Sequence, residues 1–152
     1  MSFPRTLWSS EKSDWGTPLE LYHALDSHFR FTLDPCTTPD NPLGTPKYYT
    51  VEDDGLARSW AGERVFVNPP YSRRRDEPAA WVRKAYLEAL NGGAVCVLLL
   101  AARTDTAWFH DYCSHGLIGF IRGRLRFRGA RSSAPFPSMI VVFGEGYWRL
   151  ER

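Results

Sequence analysis

Ala94-Val95-Cys96-Val97-Leu98-Leu99-Leu100-Ala101-Ala102 is a nearly unbroken apolar run of strand length. A strand with one wet face alternates apolar and polar residues, so a run without alternation reads as a strand covered on both faces, the pattern of a sheet sandwiched between helices. The flanking segments supply those helices. Residues 78–90 carry Trp81, Ala85 and Leu87 or Glu88 on helical faces, and Asn91-Gly92-Gly93 closes the helix. Downstream, Asp105 is placed to cap a helix over residues 106–115.

Further out, Arg64-Val65-Phe66-Val67 is β-rich and stops at Asn68-Pro69-Pro70, where two prolines forbid both ladder pairing and helix. Residues 116–127 give one or two strands around Gly123, and residues 139–143 a last one. Towards the N-terminus, Thr17-Pro18-Leu19-Glu20 combines an N-cap hydroxyl, a proline in the first helical position and a Glu three residues after the cap, so a helix starts there and ends near His28. Phe31-Thr32-Leu33-Asp34 alternates as a short strand ended by Pro35, the proline-rich stretch 35–47 is loop, and residues 48–51 form a short strand before the acidic turn Glu52-Asp53-Asp54-Gly55. Strands alternating with helices predict a single-domain α/β three-layer sandwich with a mostly parallel sheet, covering residues 15–152 behind an arm at 1–14. Ligands in such sheets sit at the carboxyl ends of the strands, where Asp34-Pro35, Asn68-Pro69-Pro70-Tyr71 and Arg103-Thr104-Asp105 fall.

A chain of 152 residues buries about 70% of its unfolded surface, which suffices for an ordinary core. Cys36, Cys96 and Cys113 form no CxxC pair and leave an odd thiol, arguing against a zinc site and against an oxidised secreted scaffold. His23, His28, His110 and His115 lack ligand spacing, so no metal is expected. No run approaches the length of a membrane span, and the N-terminus lacks the pattern of a signal peptide, so the expected compartment is the cytoplasm.

The net charge of +2 conceals an asymmetry: residues 1–63 carry −5 and residues 64–152 carry +7. Of the basic residues 16 are Arg, whose guanidinium forks onto phosphate and stacks on bases where an ammonium cannot. They cluster at Arg73-Arg74-Arg75 and, in strict alternation, at Arg122, Arg124, Arg126 and Arg128. On a strand, that alternation puts four guanidiniums on one face and Ile121, Gly123, Leu125 and Phe127 on the other. Such a face serves either as a solvated surface or as a seat for a polyanion.

Asn68-Pro69-Pro70-Tyr71, after its apolar strand, decides between these. It resembles the Asn-Pro-Pro-Tyr motif of amino-group DNA methyltransferases, which hold a flipped adenine while its exocyclic nitrogen takes a methyl group from S-adenosylmethionine. An exocyclic amine conjugated with its ring is a poor nucleophile. Two acceptors on its hydrogens, the Asn68 side-chain oxygen and the Pro69 carbonyl, would draw its lone pair out of conjugation; Pro70 fixes the carbonyl's direction, and the Tyr71 ring stacks on the extruded base. In order along the chain come Asp14-Trp15-Gly16-Thr17-Pro18, Phe31-Thr32-Leu33-Asp34-Pro35-Cys36, Tyr48-Tyr49-Thr50, Asp54-Gly55-Leu56 with Trp60, Val67-Asn68-Pro69-Pro70-Tyr71-Ser72, Ala102-Arg103-Thr104-Asp105-Thr106 with Trp108-Phe109-His110, and Gly123-Arg124-Leu125-Arg126-Phe127. Together they resemble the phage-type DNA N-6-adenine methyltransferase family, the small Dam-like enzymes of phages and prophages.

The resemblance implies a Rossmann-like, abbreviated methyltransferase fold, S-adenosylmethionine as cofactor and double-stranded DNA as partner, inside a bacterial host. It implies a transfer site at Asn68, Pro69, Pro70 and Tyr71, and cofactor contacts from Trp15, Thr17, Pro18, Asp34, Pro35, Cys36, Asp54 and Asn68. Arg73, Arg74, Arg75, Arg122, Arg124, Arg126 and Arg128 are the candidate DNA contacts. The chain departs from the wider methyltransferase pattern after Asp34-Pro35, where Cys36-Thr37-Thr38-Pro39 replaces the usual glycine loop. No segment is long enough for a separate recognition domain, so target reading falls to short loops, such as residues 72–77 or 129–137. A cytosine-N4 enzyme and a catalytically inactive nucleic-acid-binding protein of the same fold are the alternatives.

Overall fold

A computed structural model describes residues 16–71 and 77–149. The N-terminal arm, Trp15 and the Arg73-Arg74-Arg75 cluster lie outside the described residues. The elements in chain order are α1 (Leu19–Phe29), β1 (Leu33–Asp34), β2 (Lys47–Tyr48), a 3-10 turn at Gly55–Ala57, β3 (Arg64–Val67), α2 (Ala79–Gly92), β4 (Val95–Ala101), α3 (Ala107–Asp111), a second 3-10 turn at Cys113–His115, β5 (Leu117–Phe120) and β6 (Ser138–Phe143).

The strands form one sheet in the order β2-β1-β3-β4-β6-β5. β2, β1, β3 and β4 are parallel to one another, whereas β6 pairs antiparallel with both β4 and β5. β4 is the central strand, and its register with β3 (Arg64 opposite Val95, Val67 opposite Leu98) and with β6 (Cys96 opposite Phe143, Ala101 opposite Ser138) gives it a partner on either side.

The apolar run 94–102 is buried for the reason its composition implied. Cys96, Leu98 and Leu100 pack with Val65 and Val67 of β3 against Trp81, Val82, Ala85 and Ala89 of α2 and Trp108 of α3. Val97, Leu99 and Ala101 pack with Phe66 against Tyr22 and Phe29 of α1. Helices thus cover both faces of a mixed α/β sheet. Leu98, Leu99 and Leu100 are at most 1% exposed, and each contributes about 1.5–3 kcal/mol by leaving water.

Four local expectations change. The Thr17 hydroxyl makes no cap: the cap position is Pro18, and no side-chain oxygen serves the first turn of α1. The helix after Asp105 is capped by Thr106, whose Oγ1 accepts from Phe109 N–H at 3.3 Å, and it breaks at Tyr112 (φ −125°, ψ −60°) into a 3-10 turn. The ladders of β1 and β2 each shorten to two residues.

The fourth concerns the arginine segment. It is no strand, because β5 ends at Phe120, and Gly123, at φ +79°, turns the backbone. Residues 121–128 keep an in-and-out alternation without a ladder: Phe127 is buried and Leu125 half-buried, while Arg122, Arg124 and Arg126 are exposed.

Candidate active site

β1, β3 and β4 run parallel, so their carboxyl ends open on one edge of the sheet, and everything that follows β1 at Pro35, β3 at Asn68 and β4 at Ala102 gathers there. β6 enters the sheet from this edge at Ser138, and β5 leaves at its partner end (Phe120 opposite Met139). The exposed arginines therefore follow a strand that ends at the same edge as Asn68.

Asn68 is held at both its main chain and its side chain. Its carbonyl accepts from Cys36 Sγ at 3.2 Å, which ties the loop after β3 to the loop after β1. Its Nδ2 donates to Thr17 Oγ1 at 3.0 Å, reaching the residue before the helix cap. Thr17 is only 2% exposed. Behind it, Arg128 Nε donates to the Thr17 carbonyl at 2.8 Å, and Gly16 and Arg128 exchange backbone bonds (Gly16 N–H to Arg128 O 3.1 Å; Arg128 N–H to Gly16 O 2.8 Å). A Cβ on Gly16 would meet the Arg128 guanidinium at 2.5–2.8 Å, so a side chain there would displace the guanidinium. Arg128 accordingly turns inward to α1, unlike Arg122, Arg124 and Arg126.

Asp34 ends β1 and is 3% exposed. Burial pushes it up to about 7, against the opposing effect of hydrogen bonding from the Cys36 N–H (Oδ1 at 3.4 Å) and from Thr37. A carboxylate so desolvated is short of a compensating cation. The Asp54-Gly55 turn lies against this loop: Asp54 adopts a left-handed φ of 54°, and the Pro35 carbonyl sits where a Cβ on Gly55 would be. The Gly55 carbonyl is in turn fixed by Trp60 Nε1 at 2.9 Å, with the Trp60 ring fully buried. Of the acidic trio, Asp53 is engaged locally, its Oδ2 accepting from Thr50 N–H (2.9 Å) and Oγ1 (3.1 Å), which holds it below the ordinary carboxylate range. Glu52 is exposed, and Asp54 adjoins the Gly55 that packs on Pro35.

Tyr71 closes the loop. Its hydroxyl accepts the Ala101 N–H, a group that β4 presents beyond the last residue paired with β3. Its ring lies 5.9 Å from that of Phe136, over which Arg103 also sits at 5.9 Å. Burial raises the phenol above its ordinary range.

The loops after β1 and β3 are joined through Cys36 and Asn68, Thr17 bonds Asn68, and the Asp54-Gly55 turn packs on Pro35. Three participants carry no mark in the sequence pattern that would have singled them out: Phe136 beside Tyr71, the Ala101 N–H, and Arg128 in its inward role. For Phe136 and Ala101, neighbours distant in sequence make the contact, and no local signal announces it. Among the described residues, no three His, Cys, Asp or Glu gather as a metal cluster, and no helix is long and apolar enough to cross a membrane.

A helix-covered sheet with an Asn-Pro-Pro-Tyr loop at its carboxyl edge is compatible with a methyltransferase-like α/β fold. Residues 5–146 match the family described as DNA N-6-adenine-methyltransferase (Dam), and the chain belongs to that family. It is also similar to the DNA N-6-adenine-methyltransferase of Haemophilus phage HP1 (strain HP1c1), 31% identical over 106 residues. That match covers 68% of this chain and 58% of the phage protein.

Proposed function

We propose that this chain transfers the methyl group of S-adenosylmethionine to the N6 amino group of adenine in double-stranded DNA, on a Rossmann-like methyltransferase sheet, inside the bacterial host of a phage or prophage. The observation that carries the reading is Asn68: it follows the strand next to the central one, its carbonyl and its amide are each tied to a different loop, and it lies one tether from the buried Asp34 loop. Family membership and the likeness to the HP1 protein support the same reaction.

The residues present fit the cofactor. S-adenosylmethionine is cationic, and a buried carboxylate with few donors is the chemistry that takes a cation. Asp34, with Pro35 and Cys36, would hold its amino-acid end; Asp54, beside the Gly55 that packs on Pro35, is the candidate for the ribose hydroxyls. Trp15, Thr17 and Pro18 complete the expected contacts. When bound, the cofactor supplies an electrophilic methyl group.

The protein's own part is to hold and polarise the amine. Asn68 Oδ1 and the Pro69 carbonyl accept its two hydrogens, which favours the pyramidal, nucleophilic nitrogen over the conjugated one. Pro69 and Pro70 remove two backbone donors and stiffen the loop, so the carbonyl points where the amine arrives. Tyr71, its hydroxyl pinned to Ala101, offers a ring that cannot swing away from a stacked base. Arg122, Arg124 and Arg126, with Arg73, Arg74 and Arg75, meet phosphates. Transfer of tritiated methyl groups to unmethylated DNA tests the reading. Incorporation falling by about 100-fold in Asn68→Ala is expected, by analogy with loss of one polar group acting on the reacting centre; incorporation no higher in the wild type than in Asn68→Ala would overturn it.

A further inference from the structure

We propose that Thr17, braced by Arg128, is a positioning residue that tethers the side-chain amide of Asn68 for the incoming amine; this rests on the role of Asn68 given above. An Asn side chain has a broad two-fold torsion about its last bond, and its two ends are opposite in kind, one a donor and one an acceptor. An amide flipped by 180° would present N–H groups to the hydrogens of the amine it must polarise. The side chain therefore has to be held in place rather than left to turn. Thr17 Oγ1 accepts from Asn68 Nδ2 at 3.0 Å, with Oδ1 turned away from α1; because a hydroxyl both gives and accepts, the bond fixes where the amide sits.

Two further observations make this a built contact. The hydroxyl stands immediately before the first turn of α1, where a Thr ordinarily caps, yet that turn receives no side-chain cap. The hydroxyl is given to Asn68 instead, in a site where Thr17 is 2% exposed. The backbone that carries it is fixed from behind: Arg128 bonds the Thr17 carbonyl through Nε, pairs with Gly16 through both its N–H and its C=O, and occupies the space that any side chain at position 16 would need. Arg128 thus acts two steps from the reacting atoms and contacts neither.

The test compares Thr17→Val, which keeps the volume and loses the hydroxyl, with Thr17→Ser, which keeps the hydroxyl, in the full chain. Removal of this hydrogen bond should lower kcat about tenfold in Thr17→Val, beyond any rise in the methyl-donor KM from the expected cofactor contact of Thr17, with KM for DNA within about threefold of wild type. Thr17→Ser should restore most of kcat. Nitrogen-15 NMR supplies a readout that needs no turnover: the Asn68 side-chain amide pair should be shifted and slow to exchange in wild type and Thr17→Ser, and move towards free-amide behaviour in Thr17→Val. Unchanged kcat in Thr17→Val, a loss that falls wholly on the methyl-donor KM, or Asn68 amide signals insensitive to the substitution would each overturn the proposal. A wild type without transfer activity would overturn the proposed reaction instead, while the amide signals still decide whether the clasp exists.

Discussion

Asp34 concentrates the electrostatics of the site in one carboxyl group. Its pKa stands at about 7 when folded against 3.8 for an exposed carboxyl, so the folded state binds the proton more tightly than the unfolded one. Stability attributable to this group is therefore full below about pH 4, falls as the pH rises towards 7 and is flat beyond. The penalty on the charged form is on the order of 4 kcal/mol. Asp34→Asn should accordingly melt several degrees above wild type at pH 8 and together with it at pH 4, as followed by thermal denaturation. A cationic ligand gains from the same carboxylate, so binding of S-adenosylmethionine should tighten through pH 7 in wild type and lose that dependence in Asp34→Asn. Tyr71 raises a different issue: Tyr71→Phe keeps the ring and strands the Ala101 N–H. The expected cost is about 1–3 kcal/mol, read as a lower urea midpoint at unchanged slope.

At the scale of elements, the edge loops are fitted to one another by close approach. Gly55 packs its Cα against the Pro35 carbonyl, with Trp60 fixing the turn from the other side. Gly55→Ala should displace the Asp34-Pro35 loop at a cost of about 1–3 kcal/mol, and also weaken the thermal shift produced by S-adenosylmethionine; a full shift in a destabilised variant would mean that the cofactor does not use this loop. These elements differ in how legible they were. β4 could be read from composition because burial on both faces leaves no polar residue to confuse the pattern. β3 was delimited by its prolines and α2 by Gly93, which takes the left-handed φ of 68°. Thr17 was read as a cap because the residues around it satisfy the capping pattern; its actual partner, Asn68, is 51 positions away. Alternation at 121–128 was likewise read as a ladder, whereas it records packing: an extended segment that buries Phe127 and Leu125 has the same period whether or not a neighbouring strand pairs with it.

For the molecule as a whole, the opposed charges of its halves acquire a geometry. Asp34 and Asp54 lie with the loops after β1 and β2, while Arg122, Arg124 and Arg126 follow β5 where it leaves the same edge of the sheet. Acids in the loops after β1 and β2 and guanidiniums after β5 at the same edge are what the proposed reaction, with a cationic donor and a polyanionic substrate, calls for. Replacing Arg122, Arg124 and Arg126 together by Gln should weaken DNA binding and lower the slope of log affinity against log salt by ~0.9 for each phosphate no longer neutralised. Arg128, tied to Thr17, should instead affect turnover. The central claim, methylation of the adenine amino group through Asn68, is tested most directly by hydrolysing unmethylated duplex DNA to nucleosides after incubation with the protein and labelled S-adenosylmethionine. N6-methyldeoxyadenosine as the labelled product, with about 100-fold less of it from Asn68→Ala, is the predicted result. Label in N4-methyldeoxycytidine, or none above the Asn68→Ala level, would contradict it.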